Sequence, residues 1–269
     1  MIRGASLVCA LVLSAAPCRA LDDFAPAAKC WRVGAEVAGR VVDYAQVENP
    51  ARNFTVLRAP KRFADVADAG VVVANGTFFA SRLAALGDVL TPGAPPYAFP
   101  KRVIRTKDGR LVDLERRWGL GLRRDSGRLA VARGEDAAAE MSTYLGGAGL
   151  LLAGGADASA QNWGDPETPG PNFPEEYRTR RAGRIALGVK EVDGNQVLLV
   201  LAVPPEPGTT APELAGIMRA LGATDAVFYD GGGALGFAAG PPGAKDALIL
   251  PTNPGEDENP THIVIPACR

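Results

Sequence analysis

Between Arg184 and Gly233 the chain passes through a closely spaced series of elements that leaves little choice of local architecture. An apolar run from Ile185 to Glu191 meets the turn residues Asp193-Gly194-Asn195, and a second apolar run follows from Val197 to Val203. Asp-Gly between two such runs is a strong hairpin signal, because the turn needs residues that tolerate positive φ. From Thr210 to Leu221 the period changes: Leu214, Ile217, Met218 and Leu221 fall on one face of a helix. Thr209 or Thr210 can cap that helix, Pro212 suits its first turn and Gly222 follows its end. A short apolar strand, Ala226-Val227-Phe228-Tyr229, then leads into Asp230-Gly231-Gly232-Gly233.

Similar β-type runs recur along the chain: Val37 to Val47, Val71 to Ala74, Ala98 to Arg105, Arg110 to Leu114, Leu120 to Arg123, Leu129 to Ala132 and Leu150 to Ala153. Lys107-Asp108-Gly109 has the composition of another hairpin turn. Helical signals are fewer, at Arg62 to Ala69 and Glu135 to Tyr144. Gln161 to Arg178 holds Pro166, Pro169, Pro171 and Pro174 together with Trp163, Phe173 and Tyr177. It reads as irregular chain: a lid or sugar-contacting wall, or a surface loop pinned by its own aromatics. A second irregular segment lies between Pro92 and Pro100. No internal repeat or interdomain linker is visible. The expected fold class is α+β, a single domain with a mixed, hairpin-rich sheet and a few flanking helices.

The N-terminus has the layout of an export signal: Met1-Ile2-Arg3, an apolar run from Ala5 to Ala16, then Pro17-Cys18-Arg19-Ala20. The run is about a dozen residues, whereas a membrane span needs about 20. The expected organisation is a signal peptide over 1–20 and one domain over 21–269, secreted or periplasmic; the other reading of the run is a buried N-terminal helix. No later segment is apolar for long enough to span a bilayer, so the mature chain is expected to have no transmembrane segment. Cys9 and Cys18 leave with the signal, and Cys30 and Cys268 remain. In an oxidising compartment this even count favours a disulfide joining the two ends of the domain, with two separate thiols as the alternative. Such a loop would contribute about 5 kcal/mol through the unfolded state.

Losing Arg3 and Arg19 moves the formal net charge from −1 to −3, and no basic stripe stands out, which argues against nucleic acid as a partner. The single histidine, His262, lies in an apolar stretch, Thr261 to Ile265, that reads as a final strand. Serine and cysteine hydrolases need a histidine base, and most catalytic zinc sites need two or three histidines. A structural histidine is the favoured reading. No acidic cluster has the ligand spacing of a calcium loop, so neither a metal nor a cofactor is expected.

Four segments carry polar or glycine-rich chemistry at the ends of apolar runs. Asn75-Gly76-Thr77-Phe78-Phe79 follows a buried-looking strand, and its Asn75 offers both donors and an acceptor. Asn75-Gly76-Thr77 and Asn53-Phe54-Thr55 also match the glycosylation sequon. Gly146-Gly147 precedes the apolar run at Leu150, where a bare backbone can approach a ligand or simply pack tightly. Arg184 opens an otherwise apolar strand, and a guanidinium there can clamp a phosphate in a bidentate fork. Asp230-Gly231-Gly232-Gly233 puts a carboxylate at a strand end beside amides that side chains do not obstruct, which suits an anion.

In this order the four segments resemble the phosphodiester glycosidase family. Its pattern runs Asn-Gly-Gly-Phe-Phe, a Gly-Gly-x-x-Leu strand, Arg-Thr-Ala-Ile-Gly before an Asp-Gly hairpin, a helix with an internal Glu, and Leu-Asp-Gly-Gly-Gly-Ser. The matching residues are Asn75 to Phe79, Gly146 to Leu151, Arg184 to Gly188 with Asp193-Gly194, Glu213, and Tyr229 to Gly233. The chain departs from the pattern at Thr77, Ile185 and Ala234, which replace a glycine, a threonine and a serine.

The resemblance implies an exported hydrolase that cleaves the bond between an anomeric carbon and a phosphate, acting on a carbohydrate or sugar-phosphate ligand. Asp230, Arg184 and Glu213 are the implied catalytic groups, with Glu213 alternatively a stabiliser of the helix dipole. Asn75, Gly76, Gly146, Gly147, Gly231, Gly232 and Gly233 are the implied substrate contacts. Loss of the hydroxyls at Ile185 and Ala234 favours an alternative, a non-catalytic saccharide- or sugar-phosphate-binding protein of the cell envelope or of exopolysaccharide assembly.

Overall fold

The two apolar runs joined by Asp193-Gly194 form the centre of the structure, a computed structural model that describes residues 29–80, 84–85, 87–97, 103–105, 111–113, 117–162, 178–252 and 258–267. They belong to a seven-stranded sheet with the order β1 (Trp31–Val37), β2 (Arg40–Val47), β16 (Asn195–Val203), β15 (Arg184–Val192), β17 (Asp225–Phe228), β13 (Gly149–Ala153) and β14 (Ala156–Asp157). β15 and β16 pair from Arg184↔Val203 to Val192↔Asn195, and the turn places Asp193 at φ 49° and Gly194 at φ 78°. Both faces of these strands are covered. Leu198, Val200 and Ala202 enter one core, and Leu199, Leu201 and Val203 enter another. That is why the runs are continuously apolar instead of alternating.

One face is covered by α4 (Ala211–Ala220), whose Leu214, Ala215, Ile217 and Met218 pack with Ala186, Leu199, Leu201 and Phe228. The other face meets two smaller sheets. One has the order β19 (Ala247–Ile249), β18 (Phe237–Ala239), β4 (Val72–Asn75), β20 (Glu258–Ile265) and β3 (Thr55–Arg62). The other has the order β11 (Leu129–Arg133), β10 (Trp118–Arg123), β12 (Met141–Gly146) and β7 (Val89–Leu90). The apolar core between the layers includes Ile185, Leu187, Val200 and Tyr229 on one side and Val72, Leu120, Leu145, Phe237 and Ile263 on the other. Phe63 and Val66 of α2 (Phe63–Val66) back the five-stranded sheet, and Ala137 of α3 (Gly134–Glu140) backs the four-stranded one. The described residues also form α1 (Pro50–Asn53), short 3-10 turns at Ser159–Asn162 and Gly232–Ala234, and two small hairpins, β5 (Phe79–Ala80) with β6 (Ala84–Ala85) and β8 (Val103–Arg105) with β9 (Leu111–Asp113).

Tyr229 ties the layers together. Its buried hydroxyl donates to the Leu145 carbonyl at 3.0 Å and accepts from the Leu120 amide at 3.0 Å. Burial pushes its phenol well above the ordinary range. The strand end that leads into Asp230 is thereby fixed against β10 and β12.

The α+β class expected from the sequence is the one observed. Three elements differ from their expected bounds. The run at 37–47 is the second half of a hairpin whose turn carries Ala38 at φ 48° and Gly39 at φ 72°. Its partner β1 is half-exposed and mixed in composition, so apolar periodicity does not reveal it. The helix at 62–69 is a single turn, because Arg62 still belongs to β3. The helix at 135–144 stops at Glu140, and Thr143 and Tyr144 instead pair with Leu122 and Gly121, a case of sheet pairing overriding local propensity. Residues 1–20, the turn at 107–109, the aromatic stretch at 163–177 and Cys268 lie outside the described residues. Among the described residues no helix is long and apolar enough to cross a membrane.

Candidate active site

Asn75, Arg184 and the Asp230–Gly233 loop lie where β4 and β17 end and β15 begins, whereas Glu213 lies apart on α4. Asp230 follows β17, and its amide donates to the Gly76 carbonyl at 3.2 Å, which joins the seven-stranded sheet to the end of β4. The loop after Asp230 then folds back on the start of β15: the Gly232 amide donates to the Gly183 carbonyl at 2.9 Å. A Cβ at Gly231 would sit 2.3 Å from the Gly183 carbonyl oxygen and 3.1 Å from Arg184 Cα, so only glycine allows this approach. Gly232 lies at φ 65°, the left-handed region. Arg184 and Asp230 are thus brought side by side through their backbones.

Arg184 is 3% exposed and Asp230 6% exposed, whereas Gly231, Gly232 and Gly233 are half-exposed. The Arg184 guanidinium donates from Nη2 to the Arg180 carbonyl at 3.3 Å. The Arg184 guanidinium carbon lies 5.9 Å from the centre of the Phe228 ring, which meets Phe78 edge-on at 6.4 Å. This aromatic pair joins segments far apart in the sequence, so nothing local signals it. Little water surrounds these charges, so their fields are weakly screened.

Two of the three amides of the glycine loop, expected as an anion nest, are engaged within the protein. The Gly231 amide donates to Asp230 Oδ1 at 2.8 Å, and the Gly232 amide is taken by Gly183. The glycines serve close approach and a positive φ. Gly76, Gly146 and Gly147 are buried, and they also differ from the expected substrate contacts. A Cβ at Gly76 would meet Thr261 Oγ1 at 2.4 Å, one at Gly146 the Asp88 amide at 2.9 Å, and one at Gly147 the Val227 side chain at 2.5 Å and the Phe228 carbonyl at 2.9 Å. They bring the strands behind the site together.

Asn75, fully buried, is likewise engaged: its Nδ2 donates to the Asp230 carbonyl at 3.2 Å and its Oδ1 accepts from the Gly236 amide at 2.9 Å. Neither Asn75 nor Asn53, which is 4% exposed, presents a sequon at the surface.

Glu213 is the exception. It forms a capping box with Thr210, accepting the Thr210 amide at 3.0 Å and donating its own amide to Thr210 Oγ1 at 3.3 Å. Its Oε1 also accepts from Arg40 Nη2 at 2.6 Å and from Arg181 Nη2. Partial burial opposes ionisation, but the Thr210 amide and the two guanidinium groups outweigh it and hold the carboxyl at about 2. A group that stays ionised to such low pH is a poor general acid or base at neutrality. The geometry makes it an anchor joining α4, the β1–β2 turn and the segment that leads into Arg184. Nothing in the sequence signals Arg40 as its partner.

The substituted motif positions also have physical accounts. Ile185 is fully buried in the interlayer core, so the family's threonine hydroxyl would face that core and not the rim. Ala234 is 2% exposed in the turn after the glycines. Thr77 is fully buried, with its amide held by Thr261 Oγ1 at 2.9 Å. His262 is buried near Phe63, with ring centres 6.2 Å apart, and burial pushes its pKa down to about 4, consistent with a structural role. A hollow of about 610 Å³ lies elsewhere, between α1, the 126–128 turn and the Asp193-Gly194 turn at the far end of β15.

The fold is a layered α+β scaffold of hairpin-rich sheets in which a buried arginine and a buried aspartate adjoin a glycine loop. The chain belongs to the phosphodiester glycosidase family, whose profile matches residues 68–265. Among solved structures it is similar to the zebrafish N-acetylglucosamine-1-phosphodiester alpha-N-acetylglucosaminidase catalytic domain auto-inhibited by pro-peptide. That likeness has 17% identity and a TM-score of 0.62, over 90% of this chain and 85% of the other. It is also similar to a protein from Synechocystis at 16% identity and a TM-score of 0.53, over 87% of this chain and 61% of that one. At these identities the likeness is one of fold. No curated protein matches the sequence.

Proposed function

We propose that the chain is an exported hydrolase of glycosyl phosphodiesters, with Arg184 and Asp230 as its reacting pair. The observation that supports this reading is the backbone contact of Gly183-Arg184 with Gly231-Gly232, which makes the two charged, buried residues Arg184 and Asp230 neighbours through the main chain. In the reaction, water replaces the phosphate at the anomeric carbon, and the electron pair of the broken C–O bond leaves with the phosphate monoester. A phosphate leaving group is a weak base, so the demand for a general acid is low, and a site with one reacting carboxylate suffices. Arg184 offsets the charge on the departing phosphate. Asp230 takes the proton from water or anchors a sugar hydroxyl.

Export and a Cys30–Cys268 disulfide belong to the same proposal. Cys30 is buried beside β1, next to Trp31, whose Nε1 donates to Asp246 at 2.7 Å. Asp246 adjoins β19, in the sheet where β20 ends at Ile265, shortly before Cys268.

The test is release of free sugar from a sugar-1-phosphate diester by the purified mature chain. Asp230→Asn and Arg184→Lys should each lower turnover by about 10²- to 10³-fold. Full turnover in either variant would refute the assignment. The second reading, a non-catalytic binder, rests on Ala234, where the family pattern has a serine. Calorimetric binding of a sugar phosphate without turnover would select it.

A further inference from the structure

We infer that Asn75 is a positioning residue that fixes the Asp230–Gly236 loop from behind and does not itself contact the substrate. Three observations carry this. Asn75 is fully buried, so no ligand reaches its side chain. Its amide group joins the two ends of one loop, donating to the Asp230 carbonyl at 3.2 Å and accepting from the Gly236 amide at 2.9 Å. Its own backbone amide donates to the Gly236 carbonyl at 3.0 Å. The partners also dictate which way the amide faces, since a carbonyl needs a donor and an N–H needs an acceptor.

No other uncharged side chain of this length offers both functions at once. Aspartate keeps the acceptor and loses the donor. Alanine loses both and leaves a buried amide and carbonyl without partners. The frame behind Asn75 is rigid, because β4 is paired on both sides, with Ala74 opposite Phe237 of β18 and Ile263 of β20. A stiff strand end therefore holds the loop that presents Asp230 and the half-exposed glycines. The inference deepens the proposed function by giving Asp230 its support.

The experiment compares the wild-type mature chain with Asn75→Asp and Asn75→Ala, by amide hydrogen exchange across residues 230–236 and by steady-state kinetics on a sugar-1-phosphate diester. Exchange protection at Gly236 should fall in the order wild type, Asn75→Asp, Asn75→Ala. In the alanine variant the fall should be about 10- to 100-fold, as follows from orphaning one buried amide. On acidification the Asn75→Asp variant should regain part of its protection, because a protonated carboxyl again donates to the Asp230 carbonyl. The alanine variant should regain none. The value of kcat should fall in the same order while KM changes less than about threefold.

Wild-type protection at Gly236 in Asn75→Ala would overturn the inference. So would a rise in KM at constant kcat, the mark of a direct substrate contact. Should the alanine variant fail to fold, Asn75→Asp still decides the matter through its acid recovery. A wild-type chain that cleaves no diester, yet shows the expected exchange pattern, would refute the proposed function and leave the role of Asn75 standing.

Discussion

Replacing Glu213 by glutamine removes one negative charge from between two guanidinium groups while keeping an amide oxygen for the helix cap. The native carboxyl is held at about 2, against an ordinary value of 4.5. Unscreened, that difference corresponds to about 3 kcal/mol of folding free energy at neutral pH. The Glu213 side chain is 31% exposed and Arg181 is 46% exposed, so solvent screening reduces this to about 1–2 kcal/mol. Because the folded value lies below the unfolded one, the stabilisation is complete above the unfolded value. It is lost as pH falls through the folded one. The gap between wild type and Glu213→Gln should therefore stay constant from pH 7 to about 5, narrow below about 4.5 and vanish near pH 2. Urea unfolding followed by tryptophan fluorescence across that range measures it, and added salt should shrink it. A gap below about 0.3 kcal/mol at pH 7, or one unchanged between pH 5 and pH 2, would refute this account of the cluster.

Two further substitutions test the packing. Tyr229→Phe leaves the Leu120 amide and the Leu145 carbonyl buried without their partner, and should cost about 2 kcal/mol in urea unfolding. Gly231→Ala drives a Cβ into a backbone carbonyl at 2.3 Å and should lower turnover at least about 100-fold. Gly188→Ala is the control. Its Cβ would meet the end of the flexible Met218 side chain at 2.4 Å and the Ala223 Cβ and Asp225 carbonyl at 3.2 Å, and it should cost about 1–3 kcal/mol, with turnover close to wild type.

The central hairpin, α4 and the Asp230 loop were legible because each depends on neighbours in sequence. Asp193-Gly194 makes its own turn, Thr210 and Glu213 cap their own helix, and a glycine run after an apolar strand marks a loop whatever packs around it. What stayed hidden depends on distant partners. Glu213 reads as a catalytic carboxylate until Arg40, from the far end of the chain, is seen beside it. Asn75 reads as a ligand contact until Asp230 and Gly236 are seen to hold its amide. The glycines at 76, 146 and 147 suggest an open backbone, yet each faces a neighbouring chain segment at a distance no Cβ allows. A glycine's type declares that room is needed, and only the fold says what occupies it.

In the five-stranded sheet, β3 has a single neighbour among the described residues, β20, which is also one of the two strands flanking β4. β3 therefore joins β4 only through a strand that lies far along the sequence. Without β20, β3 and β4 are left with open hydrogen-bonding edges, in the layer that supports the Asp230 loop. Truncation upstream of Glu258 should yield aggregates, with no smaller working unit left behind.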